Sequence, residues 1–396
     1  MHLKYLDEVE LKGKRVLARF DFNVPLSKGE TRQITDSSRI DLALPTIRYM
    51  LEKGASKIVL MSHLGRPNGE VNPKYSLEPV AEYLASKLGI DVILSESPVD
   101  NGVKDLLSLP ETKIVLLENL RYDSREEKND AEFAEKLASF GDIYVNDAFG
   151  AAHRKHASVH EINAFFKGRS YAGLLMKKEI QSLSYLLDKP KKPFIAVIGG
   201  AKVSDKIKTI EKMMVLVDNI LIGGAMAYPF LKAKGATVGN SLCSDEDVVL
   251  ARHLLAQDKG GKIILPRDHV ICETLEGHGQ VCDQQSIPDG LMGLDIGPET
   301  VRVYSEFLTT AKTIFWNGPM GLFESENFAK GTMKVCQAIA QNEAAFSVVG
   351  GGDSVAAVQK SGLAEKFTHV STGGGASLEF IEKGDLPGVL ALKVGV

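Results

Sequence analysis

The residues best equipped for chemistry fall into two sets, one in each half of the chain. The first half carries Asp21-Phe22-Asn23, Ser62-His63-Leu64-Gly65-Arg66, Glu118-Asn119-Leu120-Arg121, Asn146-Asp147-Ala148-Phe149 and His153-Arg154-Lys155-His156, with Arg39 at the start of a helical stretch. Arginine presents a planar fork of donors that matches carboxylate and phosphate. Taken singly, each of these arginines reads equally well as a solvated surface residue. One after nearly every strand candidate reads as a pocket for a small anion, because function concentrates in such loops.

The second half carries glycine instead. Its strand candidates are followed by Gly199-Gly200-Ala201-Lys202, Gly223-Gly224-Ala225, Asn317-Gly318-Pro319-Met320-Gly321, Gly350-Gly351-Gly352-Asp353-Ser354 and Gly373-Gly374-Gly375-Ala376-Ser377. Glycine lets backbone approach a ligand closely, and the start of a following helix offers N–H groups to an anion. Gly-Gly leading to Lys202 suits a transferring phosphoryl group, and Asp353 suits Mg2+, which takes carboxylate, phosphate oxygens and water. One such turn is weak evidence. Five in one half point to a ligand the size of a nucleotide.

These residues need scaffolding to bring them together, and the sequence supplies a repeating one. Short apolar runs at Arg15–Phe22, Lys57–Met61, Asp91–Leu94, Lys113–Leu117 and Asp142–Val145 alternate with amphipathic stretches such as Leu77–Leu88 and Ala131–Phe140. The second half repeats the rhythm at Phe194–Ile198, Asn219–Ile222, Lys262–Leu265, Thr313–Trp316, Phe346–Val349 and Phe367–Val370, with a helix such as Lys206–Val217 between strands. Strands alternating with helices predict parallel βαβ units, hence α/β domains with doubly wound parallel sheets. Their ligands bind beyond the carboxyl ends of the strands. Eleven strand candidates exceed one ordinary domain. A helical stretch at 172–187, followed by Asp188-Lys189-Pro190-Lys191-Lys192-Pro193, places the boundary: 1–172 and 173–383, with a helical hinge and a cleft between them.

Composition narrows the alternatives. Of 396 residues, 44% are hydrophobic and 25% charged, the proportions of an ordinary globular protein. Lys and Arg total 47 against 51 for Asp and Glu, a net charge of −4, which disfavours a nucleic-acid binder with a broad basic face. No apolar run of about 18 residues predicts a membrane span, and Met1–Val16 has no apolar signal core. The four cysteines, Cys243, Cys272, Cys282 and Cys336, form no metal-binding spacing and read as reduced thiols. A cytoplasmic location is the expectation. Neither G-x-x-x-x-G-K-[ST] nor G-x-G-x-x-G occurs, which excludes a P-loop and lowers a dinucleotide-binding oxidoreductase. The protein-kinase signatures are missing as well. A non-catalytic nucleotide sensor is the other rival, disfavoured because both residue sets are complete.

Five segments carry a specific likeness. Arg19-Phe20-Asp21-Phe22-Asn23-Val24-Pro25, Met61-Ser62-His63-Leu64-Gly65-Arg66-Pro67, Ile198-Gly199-Gly200-Ala201-Lys202-Val203, Trp316-Asn317-Gly318-Pro319-Met320-Gly321 and Ser371-Thr372-Gly373-Gly374-Gly375-Ala376-Ser377 resemble, in order, the phosphoglycerate kinase family, and the likeness runs on to Leu386-Pro387-Gly388-Val389. The resemblance implies a monomeric cytoplasmic glycolytic enzyme that interconverts 1,3-bisphosphoglycerate plus MgADP with 3-phosphoglycerate plus MgATP. It implies a 3-phosphoglycerate pocket of Asp21, Phe22, Asn23, Arg39, His63, Leu64, Gly65, Arg66, Arg121 and Arg154. It implies a nucleotide site of Lys202, Lys206, Asn317, Pro319 and Gly351 to Ser354, including Gly352. Glu324 would bind the ribose; Gly223, Gly224, Gly293 and Leu294 would form the adenine slot; Asp353 would hold Mg2+. Arg39, Lys202, Gly373 and Gly374 would steady the transferring phosphoryl group. The tail 384–396 would return to the N-terminal half.

Phosphoryl transfer asks mainly for positioning and charge stabilisation. A carboxylate acceptor is already ionised at neutral pH and needs no general base, so His63 and His156 read as binding or packing residues. Ligands on separate halves predict a hinge-bending closure, with the stretch after Ala172 and Ser371–Ser377 as hinge candidates.

Overall fold

The structure, a computed structural model, describes residues 2–29 and 31–394. It divides into two compact units. The first takes in the chain through Gln181 and again from Asp385; the second is Ser182–Gly384. The division falls inside the helix Leu174–Asp188, later than residue 172. Leu174, at the start of that helix, packs on the first unit's core.

The first unit holds strands β1 (Arg15–Arg19), β2 (Lys57–Met61), β3 (Val92–Leu94), β4 (Ile114–Leu116), β5 (Ile143–Asn146) and β6 (Ser170–Ala172). They form one parallel sheet in the order β3-β4-β2-β1-β5-β6. The sheet is covered on both faces, as parallel sheets are, and the two-residue period of each strand divides its side chains between them. From β1, Val16 and Ala18 join the cluster with Ile58, Leu60, Ile114, Leu116, Ile143 and Val145. Against it lie Ile40, Ala43, Ile47 and Met50 of the helix Ser38–Glu52 and Val80 and Leu84 of the helix Glu78–Leu88. Leu17, on the opposite face, is equally buried. The chain first adds strands on one side of β1, then crosses to β5 on the other, so the strand order reverses beside β1.

The second unit repeats this plan with β7 (Phe194–Ile198), β8 (Asn219–Ile222), β9 (Ile263–Ile264), β13 (Thr313–Asn317), β14 (Phe346–Val349) and β15 (His369–Val370), in the order β15-β14-β13-β7-β8-β9. Here the order reverses between β7 and β13, whose residues Phe194 to Ile198 pair with Thr313 to Asn317. Between β9 and β13 the chain makes a small antiparallel sheet, β11-β10-β12, from β10 (His269–Cys272), β11 (Gln280–Cys282) and β12 (Met292–Ile296).

Sequence reasoning missed β6 and this small sheet. β6 is three residues at a sheet edge and has no apolar run. β11 has no apolar face to mark it, since Gln280 and Val281 are both exposed, and it is held by pairing with β10. The first strand also stops at Arg19, before Phe22.

Candidate active site

In the first unit, the loops at the carboxyl ends of β1, β2 and β4 are knitted by their own polar side chains. Phe22 N–H donates to Ser62 Oγ (2.9 Å), and Gly65 N–H donates to Asn23 Oδ1 (2.9 Å). Asn119, fully buried, donates to Leu64 O (2.7 Å) and accepts from Arg121 N–H (3.1 Å). Gly65 has φ +60, and a Cβ there would strike the Tyr75 ring, so this turn requires glycine. Its carbonyl accepts from Arg121 Nη1 at 2.8 Å. Arg39 reaches from the first turn of its helix to Asp21 Oδ2 at 2.8 Å.

The resulting cluster is cationic and partly buried. Arg121 is buried, and burial lowers its pKa, with Arg19 and Arg154 adding to the effect and Glu127 opposing it. His63 is held far below the usual imidazole range by burial and by Arg19, Arg121, Arg39 and His156. His156 is pushed down to about 3 by burial and by Arg121, Arg19 and Arg154. Groups that depress one another in this way gain most when an anion enters among them. The structure thus brings Asp21, Phe22, Asn23, Arg39, His63, Leu64, Gly65, Arg121 and Arg154 together. Among the described residues, no hydrogen bond or ion pair holds Arg66, which stands exposed after Gly65. Arg19 and Glu126 were not picked as site residues. A charged residue closing the apolar run Val16-Leu17-Ala18 was the signal available for Arg19.

The second unit builds its site from backbone. Gly199 N–H donates to Asn317 O, Gly200 N–H to Pro319 O and Gly224 N–H to Met320 O, so the turns after β7, β8 and β13 lock into one surface. Gly224 has φ +68, and a Cβ there would press on Gly200 and on Pro319 O. Asn317, fully buried, donates to Gly350 O (2.6 Å) and accepts from Lys206 Nζ (2.5 Å). Burial lowers the pKa of that lysine, and the Asp353 carboxylate partly offsets it.

Gly318 N–H donates to Ser354 Oγ (2.5 Å), tying the turn after β13 to the first turn of the helix Gly352–Ser361. A helix start leaves backbone N–H groups without intrahelical acceptors, a natural seat for phosphate. Gly351 and Gly374 stand at the N-caps of the helices Gly352–Ser361 and Gly375–Lys383. The turns line an open cleft of about 380 Å³, walled by Gly200, Gly224, Gly293, Leu294, Pro319, Glu324 and Asp353. Lys202 lies exposed in the loop after β7.

Sequence reasoning missed Asn240, Leu242, Leu275, Met292 and Leu322 of this lining. They sit in or beside the small antiparallel sheet it also missed. No group of three or more His, Cys, Asp or Glu able to hold a metal occurs among the described residues. Asp353 is one of two exposed carboxylates at the cleft, with Glu324, and it sits in the first turn of the helix Gly352–Ser361. That fits Mg2+, which takes one or two carboxylates and completes its shell with substrate phosphates and water. No helix of the described residues is long and apolar enough to cross a membrane.

This arrangement, two doubly wound units with an arginine cluster at one switch point and a glycine cleft at the other, has close counterparts. A sequence model of phosphoglycerate kinase matches residues 6–384. The phosphoglycerate kinase of Anaeromyxobacter sp. (strain Fw109-5) is 51% identical over 99% of this chain and 100% of its own length. The cytosolic phosphoglycerate kinase of Triticum aestivum is 48% identical over 98% of this chain and 97% of its own. Among solved structures, phosphoglycerate kinase from Coxiella burnetii superposes with a TM-score of 0.88 at 37% identity, covering 99% of this chain and 98% of that one. The enzyme from Pyrococcus horikoshii OT3 gives 0.83 at 32% identity, covering 99% of both chains. Likeness of this extent, in sequence and fold together, establishes that the chain belongs to the phosphoglycerate kinase family.

Proposed function

We propose the following division of labour for the reaction of this family, reversible phosphoryl transfer between 1,3-bisphosphoglycerate and ADP to give 3-phosphoglycerate and ATP. In the first unit, Asp21, Asn23, Arg39, His63, Arg66, Arg121 and Arg154 hold 3-phosphoglycerate, with Phe22, Leu64 and Gly65 shaping the loops that carry them. The cationic cluster supplies the charge, and its burial strengthens each contact to the anion. In the second unit, Gly223, Gly224, Gly293 and Leu294 receive the adenine. Glu324 takes the ribose, Asn317 and Pro319 line the path, and Lys206 with the helix start Gly351–Ser354 holds the phosphates.

Asp353 would hold the Mg2+ that accompanies the nucleotide. When bound, that ion neutralises charge on the phosphate oxygens. Lys202, free to swing in its loop, follows the transferring group. Arg39 meets it at the acceptor end, and the Gly373–Gly374 helix start stabilises its equatorial oxygens. The acceptor carboxylate is ionised at neutral pH, so no side chain here has to remove a proton.

Direct transfer requires the two ligands to meet, so the proposal includes hinge-bending closure that also excludes water. Compaction in small-angle scattering on adding both ligands is the expected result; an unchanged scattering curve would overturn it. We place the chain in the cytoplasm, the setting named for its cytosolic relatives, and propose that it works as a monomer.

The observation that carries the reading is the bonded chain Lys206–Asn317–Gly350, which draws three glycine turns and Asp353 onto one cleft. A coupled assay with 3-phosphoglycerate and MgATP tests it. Turnover that depends on both substrates supports it, and turnover unaltered in Lys202→Ala contradicts the role of that lysine.

A further inference from the structure

Behind the arginine cluster lies a line of buried polar groups that ends at His63. Glu126 is fully buried, and both its oxygens serve Ser158: one accepts Ser158 N–H (3.0 Å), the other Ser158 Oγ–H (2.6 Å). A hydroxyl has one proton. With that proton committed to Glu126, Ser158 Oγ meets Arg19 as an acceptor, and Arg19 Nε donates to it at 2.9 Å. Arg19 is 1% exposed, and its Nη1 donates to Phe20 O. Its Nη2 lies 3.0 Å from His63 Nδ1.

A guanidinium has five N–H donors and no acceptor. The Nη2 contact therefore requires a lone pair on His63 Nδ1. A neutral imidazole with that lone pair carries its proton on Nε2, and a doubly protonated ring has no place here.

We propose that Glu126, acting through Ser158 and Arg19, is a positioning residue that fixes His63 as the neutral Nε2–H tautomer, so that this ring presents a hydrogen-bond donor to the bound acid. The proposal rests on the reading of His63 as a 3-phosphoglycerate ligand. Its physical logic is one of direction. Arg19 can only donate; Glu126, through Ser158, holds the guanidinium where Nη2 meets His63 Nδ1, so the single proton of the ring stays on Nε2. The charged residues around His63 act to the same end: Arg19, Arg39 and Arg121 each disfavour a second proton on the ring, as does His156, whose Nδ1 lies 4.0 Å from Glu126. Arg39 and Arg121 can supply charge to the substrate; this line gives the site a neutral, oriented donor beside them.

The test uses the full chain labelled with 15N-histidine, with no substrate present. The expected result is a pyridine-type Nδ1 and a pyrrole-type Nε2 for His63 across neutral pH. A protonated Nδ1 would overturn the proposal with no variant needed. In Ser158→Ala, which keeps both charged ends and removes the bridge, the two tautomers should mix. KM for 3-phosphoglycerate should rise about tenfold, the cost of roughly one charge-assisted hydrogen bond, while kcat and the KM for MgATP stay within about threefold. Glu126→Gln should give a smaller change in the same direction. A tautomer unchanged in both folded variants would also overturn the relay. His63→Gln separates the two claims: an unchanged KM for 3-phosphoglycerate would refute His63 as a ligand, whatever its tautomer in the free enzyme.

Discussion

The two sites solve opposite problems with opposite materials. The first unit gathers side chains: guanidinium groups and histidines, locked by Asn23, Ser62 and Asn119, around a partly buried cationic cluster. The second withdraws side chains, so that the backbone turns after β7, β8 and β13 lie against each other. A small trianionic acid offers little surface and much charge, and long planar cations reach it. A nucleotide offers a broad flat base and a chain of phosphates, and bare backbone conforms to it. The difference teaches that net charge says little about ligand charge: a chain at −4 concentrates its cations at one mouth.

Four experiments sharpen or break this contrast. The largest effect belongs to Lys202→Ala, which removes an exposed, flexible cation from the loop after β7. Steady-state assays should give a kcat lower by about 10²–10³, the usual cost of one contact made in the transition state. A loss confined to KM would move Lys202 from the reaction to ground-state binding. Next comes Gly224→Ala, which adds a Cβ where Gly200 and Pro319 leave none, at φ +68. Strain of about 1–3 kcal/mol should appear as a rise of roughly 5- to 100-fold in the KM for MgATP, with that for 3-phosphoglycerate unaltered. Equal damage to both constants would mean that the two sites are not built independently.

A third, milder effect is expected for Arg121→Lys. Lysine keeps the charge and loses the fork that reaches Gly65 O. KM for 3-phosphoglycerate should rise about tenfold and that for the nucleotide should not move; the reverse pattern would sink the assignment.

The smallest effect is on stability and pH. His156 titrates near 3 in the folded chain because burial and Arg121, Arg19 and Arg154 oppose its proton, whereas an unfolded histidine titrates near about 6.5. Below that value the unfolded state binds more protons, so the contribution of neutral His156 is full above pH ~6.5 and fades as pH falls towards 3. In the second unit, burial raises Asp295 to about 7. An aspartate is ionised above about 3.9 when unfolded, so this group opposes folding increasingly as pH rises from ~4 to ~7. In urea titrations at several pH values, His156→Gln should make stability rise less with pH between ~3 and ~6.5, and Asp295→Asn should make it rise more between ~4 and ~7. Parallel pH profiles in wild type and variants would remove both assignments.

Most of the parallel architecture was legible because buried strands announce themselves. Lys57–Met61 and Phe194–Ile198 are unbroken apolar runs, and the structure starts and stops them where the sequence does. The site loops were legible for a related reason, since a strand end followed by Gly-Gly or by Arg departs sharply from the run before it. What escaped depends on pairing or on burial. β10 to β12 hold together through partners far along the chain, so Met292 and Leu275 could not be tied to the cleft. Glu126 sits in Ser124-Arg125-Glu126-Glu127-Lys128, which reads as a solvated charge run. Only the fold reveals that one of its two adjacent glutamates is sealed inside and the other is exposed.

The segment from Asp385 onward belongs to the first unit. Leu386, Val389 and Leu392 are buried there, and Gly388 N–H donates to Ala152 O. For a chain made from its N-terminus on the ribosome this inverts the order of completion. The second unit, Ser182–Gly384, is one uninterrupted stretch and can close as soon as it emerges. The first unit, although synthesised earlier, must wait with a hydrophobic gap beside Ala152 and Val159 until the last residues arrive. A nascent chain stalled before Asp385 would therefore carry a finished nucleotide lobe and an unfinished acid-binding one, and it is the older lobe that would need a chaperone.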